Sequence, residues 1–207
     1  MTGGAALKLV VLDRDGTINE DRDDFVKSAD EWQPLPGALE AIARLNHAGW
    51  HIVVATNQSG LARGHLGMAA LNGIHVRMNR ELAALGGRID AVFFCPHGPD
   101  DGCRCRKPLP GLLEVLAERY RIDLAGVPMV GDSLRDLQAA AAAGCIPHLV
   151  RTGKAADWDE AQVAAALSGL QGARVHRDLA AFAAALIHEE RLARGDAFDA
   201  DSTFGAL

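Results

Sequence analysis

Five short apolar runs alternate with helical patterns along the chain. The runs cover residues 7–12, 51–55, 91–94, 127–130 and 148–150 and are rich in Val, Ile, Leu and Phe. They do not alternate apolar with polar positions, which predicts strands buried on both faces of a parallel sheet. Between them, Leu39, Ile42 and Leu45 predict a helix that begins near Pro36 and stops at Gly49. Leu71, Ile74, Met78, Leu82 and Leu85 predict a second that stops at Gly86, and Leu112, Leu113, Leu116 and Tyr120 a third that starts near Pro110. A fourth spans 134–143 and stops at Gly144; Leu179, Phe182, Ala183 and Leu186 form one further stripe. The alternation predicts an α/β fold: a doubly wound, Rossmann-like, mainly parallel sheet with helices on both faces. The domain is expected over residues 1–187. The polar, aperiodic residues 188–207 are expected to be a loosely ordered tail.

Composition changes this picture little, and charge narrows it. Apolar residues make up 49 % of the 207 residues and charged residues 23 %. No apolar run is long enough to span a bilayer. The start shows no basic segment followed by an apolar stretch, so a secretory signal is not expected and the cytoplasm is the default. The formal charge of −6 disfavours nucleic acid as a partner. It also repels anionic substrates, so any phosphate chemistry must bring its own local positive charge.

Candidate chemistry sits at the ends of the predicted strands, where open parallel sheets bind ligands. The first ends in Asp13-Arg14-Asp15-Gly16-Thr17. Asp13 and Asp15 are two residues apart in extended chain and so can reach one reacting centre. One carboxylate can attack phosphorus while the other moves protons; a turn or a calcium loop would use the same residues. The second ends in Thr56-Asn57-Gln58-Ser59-Gly60, a hydroxyl and backbone amides able to cradle phosphate oxygens, or an ordinary polar turn. The fourth ends in Gly131-Asp132-Ser133, with Asp132 placed to hold a hard cation. Asp136, four residues on, either supports that site or stabilises the helix start.

Cys95, His97, Cys103 and Cys105 stand out after the third strand. Three thiolates and one imidazole make a closed tetrahedral zinc set, structural rather than catalytic because no position is open. The intervening loop is too polar to be core. Zinc would fix it and aim Arg106-Lys107, while Arg104, Arg106 and Lys107 offset the excess thiolate charge. Magnesium among Asp13, Asp132 and a phosphate would cancel their repulsion, and Lys107 would neutralise the transferring group.

In order, Asp13-x-Asp15-Gly16-Thr17, Thr56, Lys107 and Gly131-Asp132 resemble the four motifs of the haloacid dehalogenase-like phosphatase superfamily. The resemblance implies Asp13 as nucleophile, Asp15 as acid and base, and Thr56 and Lys107 as catalytic partners. It implies magnesium on Asp13, the backbone carbonyl of Asp15, and Asp132. DRDGTIN, TNQSGLARG, CRCRKPLPGLL, MVGDSLRDLQAA and LVRTGK are similar to the branch that removes a phosphate from a heptose bisphosphate for nucleotide-activated heptose and lipopolysaccharide core synthesis. That branch implies a small sugar bisphosphate substrate, a monomer, and substrate contacts from Asp21, Arg22, Asp23, Asp24, Asn57, Gln58, Ser59, Arg106 and Ser133. One departure is that the segment after the first motif reads Glu20-Asp21-Arg22-Asp23-Asp24-Phe25-Val26, where a Gly-Tyr pair is expected. Alternatives are a histidinol-phosphate phosphatase, which usually has Asp rather than Ser59 at that position, and a zinc-stabilised binding protein without catalysis. No stretch is free to form a cap domain, so an open site is expected.

Overall fold

A computed structural model describes residues 7–195. β1 (Leu9–Leu12), β2 (His51–Asn57), β3 (Ala91–Cys95), β4 (Pro128–Gly131), β5 (Ile146–Val150) and β6 (Arg174–His176) form one sheet in the order β3-β2-β1-β4-β5-β6. Every pairing is parallel. The helices are α1 (Ala38–His47), α2 (Met68–Ala84), α3 (Gly111–Tyr120), α4 (Leu134–Ala142), α5 (Glu160–Leu167) and α6 (Leu179–Arg194).

Strand alternation divides the core into two layers. Val10, Leu12, Ile52, Val54, Val130 and Val150 pack with residues of α1, α2 and α6. Leu9, Val11, Val53, Ala55 and Met129 face the other way, onto α3 and α4. Leu149 joins Leu137, Ala155, Val163 and Ala166 in a smaller cluster beneath α5. Burying both sheet faces accounts for the unbroken apolar runs.

Strand order reverses between β1 and β4, and that switch point is where such sheets bind ligands. Leu12 pairs with Val130, and the Asp13 amide donates to the Val130 carbonyl at 2.8 Å. Asp13 and Asp132 therefore leave the sheet side by side.

Some expectations need revision. α6 continues to Arg194, so ordered structure extends seven residues (188–194) into the segment expected to be loose. Glu190 explains it: its carboxylate accepts from the Trp50 indole at 3.1 Å and pairs with Lys8 and Arg194. Residues 196–207 lie outside the described residues. Leu85 caps α2 and is exposed rather than continuing its stripe. β6 escapes a search for apolar runs because it reads Arg-Val-His. α5 buries only Val163 and Ala166, too few for a stripe. No inserted cap domain occurs among the described residues; the chain between β1 and α1 is an irregular flap held by the bridges Asp15–Asn19 and Asn19–Pro34.

His148 on β5 and His176 on β6 share a hydrogen bond of 2.9 Å and pack edge-on against Phe182. Burial, with His176 and Arg174 nearby, pushes His148 down to about 3, and burial lowers His176 as well. A depressed histidine is neutral in both folded and unfolded chain above about pH 6.5; below that the unfolded chain takes up the proton first. Stability is therefore lost as pH falls from about 6.5 towards 3. Each histidine contributes at most about 1.4 kcal/mol per pH unit to that slope. Urea unfolding of wild type and His148→Phe between pH 7 and 5 should give the variant the flatter acid loss; parallel slopes would contradict this.

Candidate active site

A cleft of about 230 Å³ opens over the carboxyl ends of β1, β2 and β4. At its floor, Asp13 Oδ1 accepts from the Arg14 amide at 2.7 Å and faces Lys107 Nζ at 2.8 Å. Lys107 is buried; its ammonium also meets Asp136 Oδ1 at 2.5 Å and donates to the Ala55 carbonyl at 2.9 Å. Two carboxylates and one carbonyl thus surround the ammonium. Burial works against the charge, but Asp13 and Asp136 outweigh it and hold the lysine above its usual range.

Lys107 is positioned through its main chain. Its amide donates to Asn57 Oδ1 and its carbonyl accepts from Asn57 Nδ2, both at 3.1 Å. The end of β2 thus grips the loop that delivers the lysine.

Asp15 sits in a separate cage. Its oxygens accept from Arg14 Nε and Nη2, Asn19 Nδ2 and Gln58 Nε2 at 2.8–3.1 Å. Gln58 Nε2 also donates to Thr56 Oγ1 at 3.0 Å. Burial alone would raise the Asp15 pKa; Arg14 and the hydrogen bonds overcome it and hold the carboxyl below its usual range.

Asp132 and Asp13 behave oppositely. Burial, with Asp136 and Asp13 close by, pushes Asp132 up to about 8. Burial lifts Asp13 to about 6 despite Lys107, with Asp136 and Asp15 adding to the rise. One oxygen from each of Asp13, Asp132 and Asp136 lies within 4.8 Å of the others. Asp136 is already engaged, its Oδ2 accepting from Ser133 N at 3.1 Å and Ser133 Oγ at 2.5 Å and its Oδ1 meeting Lys107. It therefore both caps α4 and anchors the lysine, two uses that sequence reading treated as alternatives. Asp13 and Asp132 remain as hard oxygen donors whose mutual repulsion a divalent cation would relieve, and they fit magnesium.

The second metal quartet also assembles. Cys95 Sγ lies 3.2 Å from Cys105 Sγ and 3.7 Å from Cys103 Sγ; His97 Nδ1 lies 3.3 Å from Cys105 Sγ and 3.6 Å from Cys95 Sγ. Zn–S near 2.3 Å and Zn–N near 2.0 Å in a tetrahedron require ligand separations of roughly this size. The four side chains fit zinc. Charge compensation differs from expectation: Arg104 is exposed and faces Glu114, and Lys107 is committed to carboxylates. Only Arg106 stays beside the thiols, donating to the His97 carbonyl at 3.2 Å.

Most expected contact residues line the cleft: Asp21, Arg22, Asp23, Asn57, Gln58, Ser59, Arg106 and Ser133. Asp24 does not. It points to solvent, paired with Arg22 and Lys27, because the flap turns at Phe25, whose φ is 66°. A phenylalanine there is strained; stacking on His65 at 5.1 Å and the Arg63 guanidinium at 5.8 Å hold it. Residues without an expected role, Arg63, Arg135 and Lys154, also line the cleft. All three were legible only as members of segments that carry the resemblance, Arg63 in TNQSGLARG, Arg135 in MVGDSLRDLQAA and Lys154 in LVRTGK, with no role attached.

Known proteins agree with this geometry. The haloacid dehalogenase-like hydrolase family matches residues 11–144. A D-glycero-beta-D-manno-heptose-1,7-bisphosphate 7-phosphatase from Bordetella bronchiseptica is 60 % identical over 184 residues, covering 88 % of this chain and 99 % of the relative. A Pseudomonas aeruginosa protein of the same name is 55 % identical over 146 residues, 70 % of this chain and 82 % of its own. The solved Bordetella D,D-heptose 1,7-bisphosphate phosphatase, complexed with magnesium and phosphate, superposes with a TM-score of 0.82 at 60 % identity, over 88 % of this chain and 99 % of that one. Strand order, the carboxylates at the switch point and these matches converge: the chain belongs to the haloacid dehalogenase-like hydrolase family.

Proposed function

We propose that this protein is a phosphomonoesterase that removes the 7-phosphate of D-glycero-β-D-manno-heptose 1,7-bisphosphate. The relatives' names specify that substrate and anomer. The carrying observation is a single cleft lined by two sets of cationic side chains. One is Lys107, beside Asp13. The other is Arg63, Arg106 and Arg135, none of which has a carboxylate partner among the described residues. Burial and the neighbouring Arg135 lower the Arg106 pKa, with Arg63 adding to it. Such a group of like charges is relieved by a phosphate that stays on the sugar.

Asp13 attacks phosphorus and forms a phospho-aspartyl intermediate, and water then releases phosphate. Magnesium, held by Asp13, the Asp15 carbonyl and Asp132, supplies the positive charge that lets carboxylate and phosphate approach. Lys107 neutralises the transferring oxygens. Asp15 protonates the departing sugar oxygen and then takes a proton from water. Its cage favours the carboxylate, the form needed for the second task. For the first, turning the carboxyl from Arg14 towards the cleft removes the ion pair that keeps it ionised. Thr56 and Ser59 offer hydroxyls to phosphate, and Cys95, His97, Cys103 and Cys105 would hold a zinc that steadies the loop carrying Lys107. No helix among the described residues is long and apolar enough to cross a membrane. The reading places the protein in the cytoplasm, as a monomer.

Phosphate release measured side by side on the α- and β-heptose bisphosphates and on histidinol phosphate tests this. The β-heptose substrate should give the highest kcat/KM, and preference for histidinol phosphate would refute the assignment. Arg135→Ala should raise KM for the bisphosphate about tenfold, roughly one charge-assisted contact. It should leave KM for p-nitrophenyl phosphate unchanged. Equal losses on both would place Arg135 at the reacting phosphate instead.

A further inference from the structure

The loop after β5 closes on Asp132, with Lys154 also lining the cleft. The Lys154 amide donates to Asp132 Oδ2 at 2.6 Å. Gly153 and Gly16 pack against the same oxygen: a Cβ on either would lie 2.1 Å from Oδ2, and one on Gly153 also 2.5 Å from Gly16 Cα. Both glycines have positive φ, 49° and 80°. Thr152 Oγ1 joins the two loops by donating to the Gly16 carbonyl at 2.6 Å.

The turn is itself anchored at both ends. On one side the Arg151 amide donates to the His176 carbonyl, and its guanidinium donates to the Trp158 carbonyl at 2.7 Å and to Glu160 at 2.6 Å. On the other, Ala155 is fully buried with Leu137 and Leu149. Beyond the main chain, Lys154 Nζ reaches the flap, 2.6 Å from Asp21 and 3.6 Å from Asp23.

We propose that Thr152-Gly153-Lys154 is a clamp that orients Asp132 for its cation through the main chain, while the Lys154 side chain separately fastens the flap. An oxygen that accepts a charge-assisted hydrogen bond and is walled in by two glycines is held away from the cation. Oδ1 is then the oxygen presented beside Asp13. Gly153 and Thr152 are positioning residues: they act on magnesium only through Asp132. The inference rests on the proposed reading of Asp132 as a metal ligand.

Manganese, used alone as a magnesium probe and followed by electron paramagnetic resonance on the full chain, tests it without turnover. Gly153→Ala should weaken Mn²⁺ binding about 10- to 100-fold, the usual cost of losing a supporting contact. Thr152→Val should weaken it several-fold. Lys154→Met keeps the amide and should bind Mn²⁺ as wild type does, while its KM for the sugar bisphosphate changes. If Gly153→Ala retains its zinc and circular dichroism yet binds Mn²⁺ normally, the clamp is wrong. Should that variant not fold, unchanged affinity in Thr152→Val overturns the clamp instead. Asp132→Asn separates the two claims. Normal Mn²⁺ binding there refutes Asp132 as a ligand and the clamp with it. Lost binding there, with normal binding in Gly153→Ala and Thr152→Val, refutes the clamp alone.

Discussion

Asp13→Asn should lower phosphate release by about 10⁴-fold or more, the scale on which enzymes lose a covalent nucleophile. The amide cannot form a phospho-aspartyl group. The substitution is nearly isosteric, so the Arg14 amide and Lys107 Nζ, which approach Asp13 at 2.7 and 2.8 Å, keep a carbonyl oxygen to meet. Folding and zinc content should therefore survive. Lys107 still faces Asp136 at 2.5 Å and stays charged. Single-turnover assays with the bisphosphate and metal analysis of the same sample check both halves. Activity within a hundredfold of wild type would mean that another group attacks phosphorus.

Losing zinc should have the second-largest effect, on stability as well as rate. Cys105→Ser removes a thiol that lies 3.2 Å from Cys95 and 3.3 Å from His97, at the centre of the quartet. The loop between β3 and α3 has little core of its own, and a structural metal contributes its binding energy to folding. A loss of about 4 kcal/mol, the linkage value for a ligand at a thousand times its Kd, would lower Tm by about 10 °C for a chain of this size. Turnover should fall about tenfold or more, because Lys107 lies two residues beyond Cys105 and a small misplacement of a catalytic group is costly. Calorimetric scans and kcat before and after chelation test this. A zinc-free protein with unchanged Tm and kcat would show that the quartet is not a clip.

Chemistry was most legible where one local feature sufficed to place it. Asp13 and Asp132 each end an apolar strand run, and parallel sheets put strand ends together, so their meeting followed from pattern and topology. The zinc quartet could be read from residue type and spacing. What stayed hidden depends on chain reversals with no local signature. Arg63 reaches the cleft because Phe25 takes a left-handed turn and stacks beneath it. Arg135 arrives because α4 starts at the switch point, yet one arginine in a helix's first turn looks like a solvated residue. The cage around Asp15 was also hidden: Arg14, its neighbour in sequence, is fully buried and bridges Asp15 to Gln58, forty-four positions away. At the far edge, β6 and α5 bury too few side chains to produce periodicity, and the last turns of α6 are held by Glu190, a polar anchor that apolar patterning cannot detect.

The grip of Asn57 on residue 107 has a practical consequence. The amide of Asn57 holds the peptide groups on both sides of that residue and leaves its side chain alone. Address and reagent are thus separable: the backbone stays docked whatever the side chain carries. Position 107 is a socket for chemical replacement. γ-Thialysine installed there would keep the length and the docking while its ammonium becomes more acidic. Rate could then be plotted against the basicity of a single nitrogen, with the scaffold held constant.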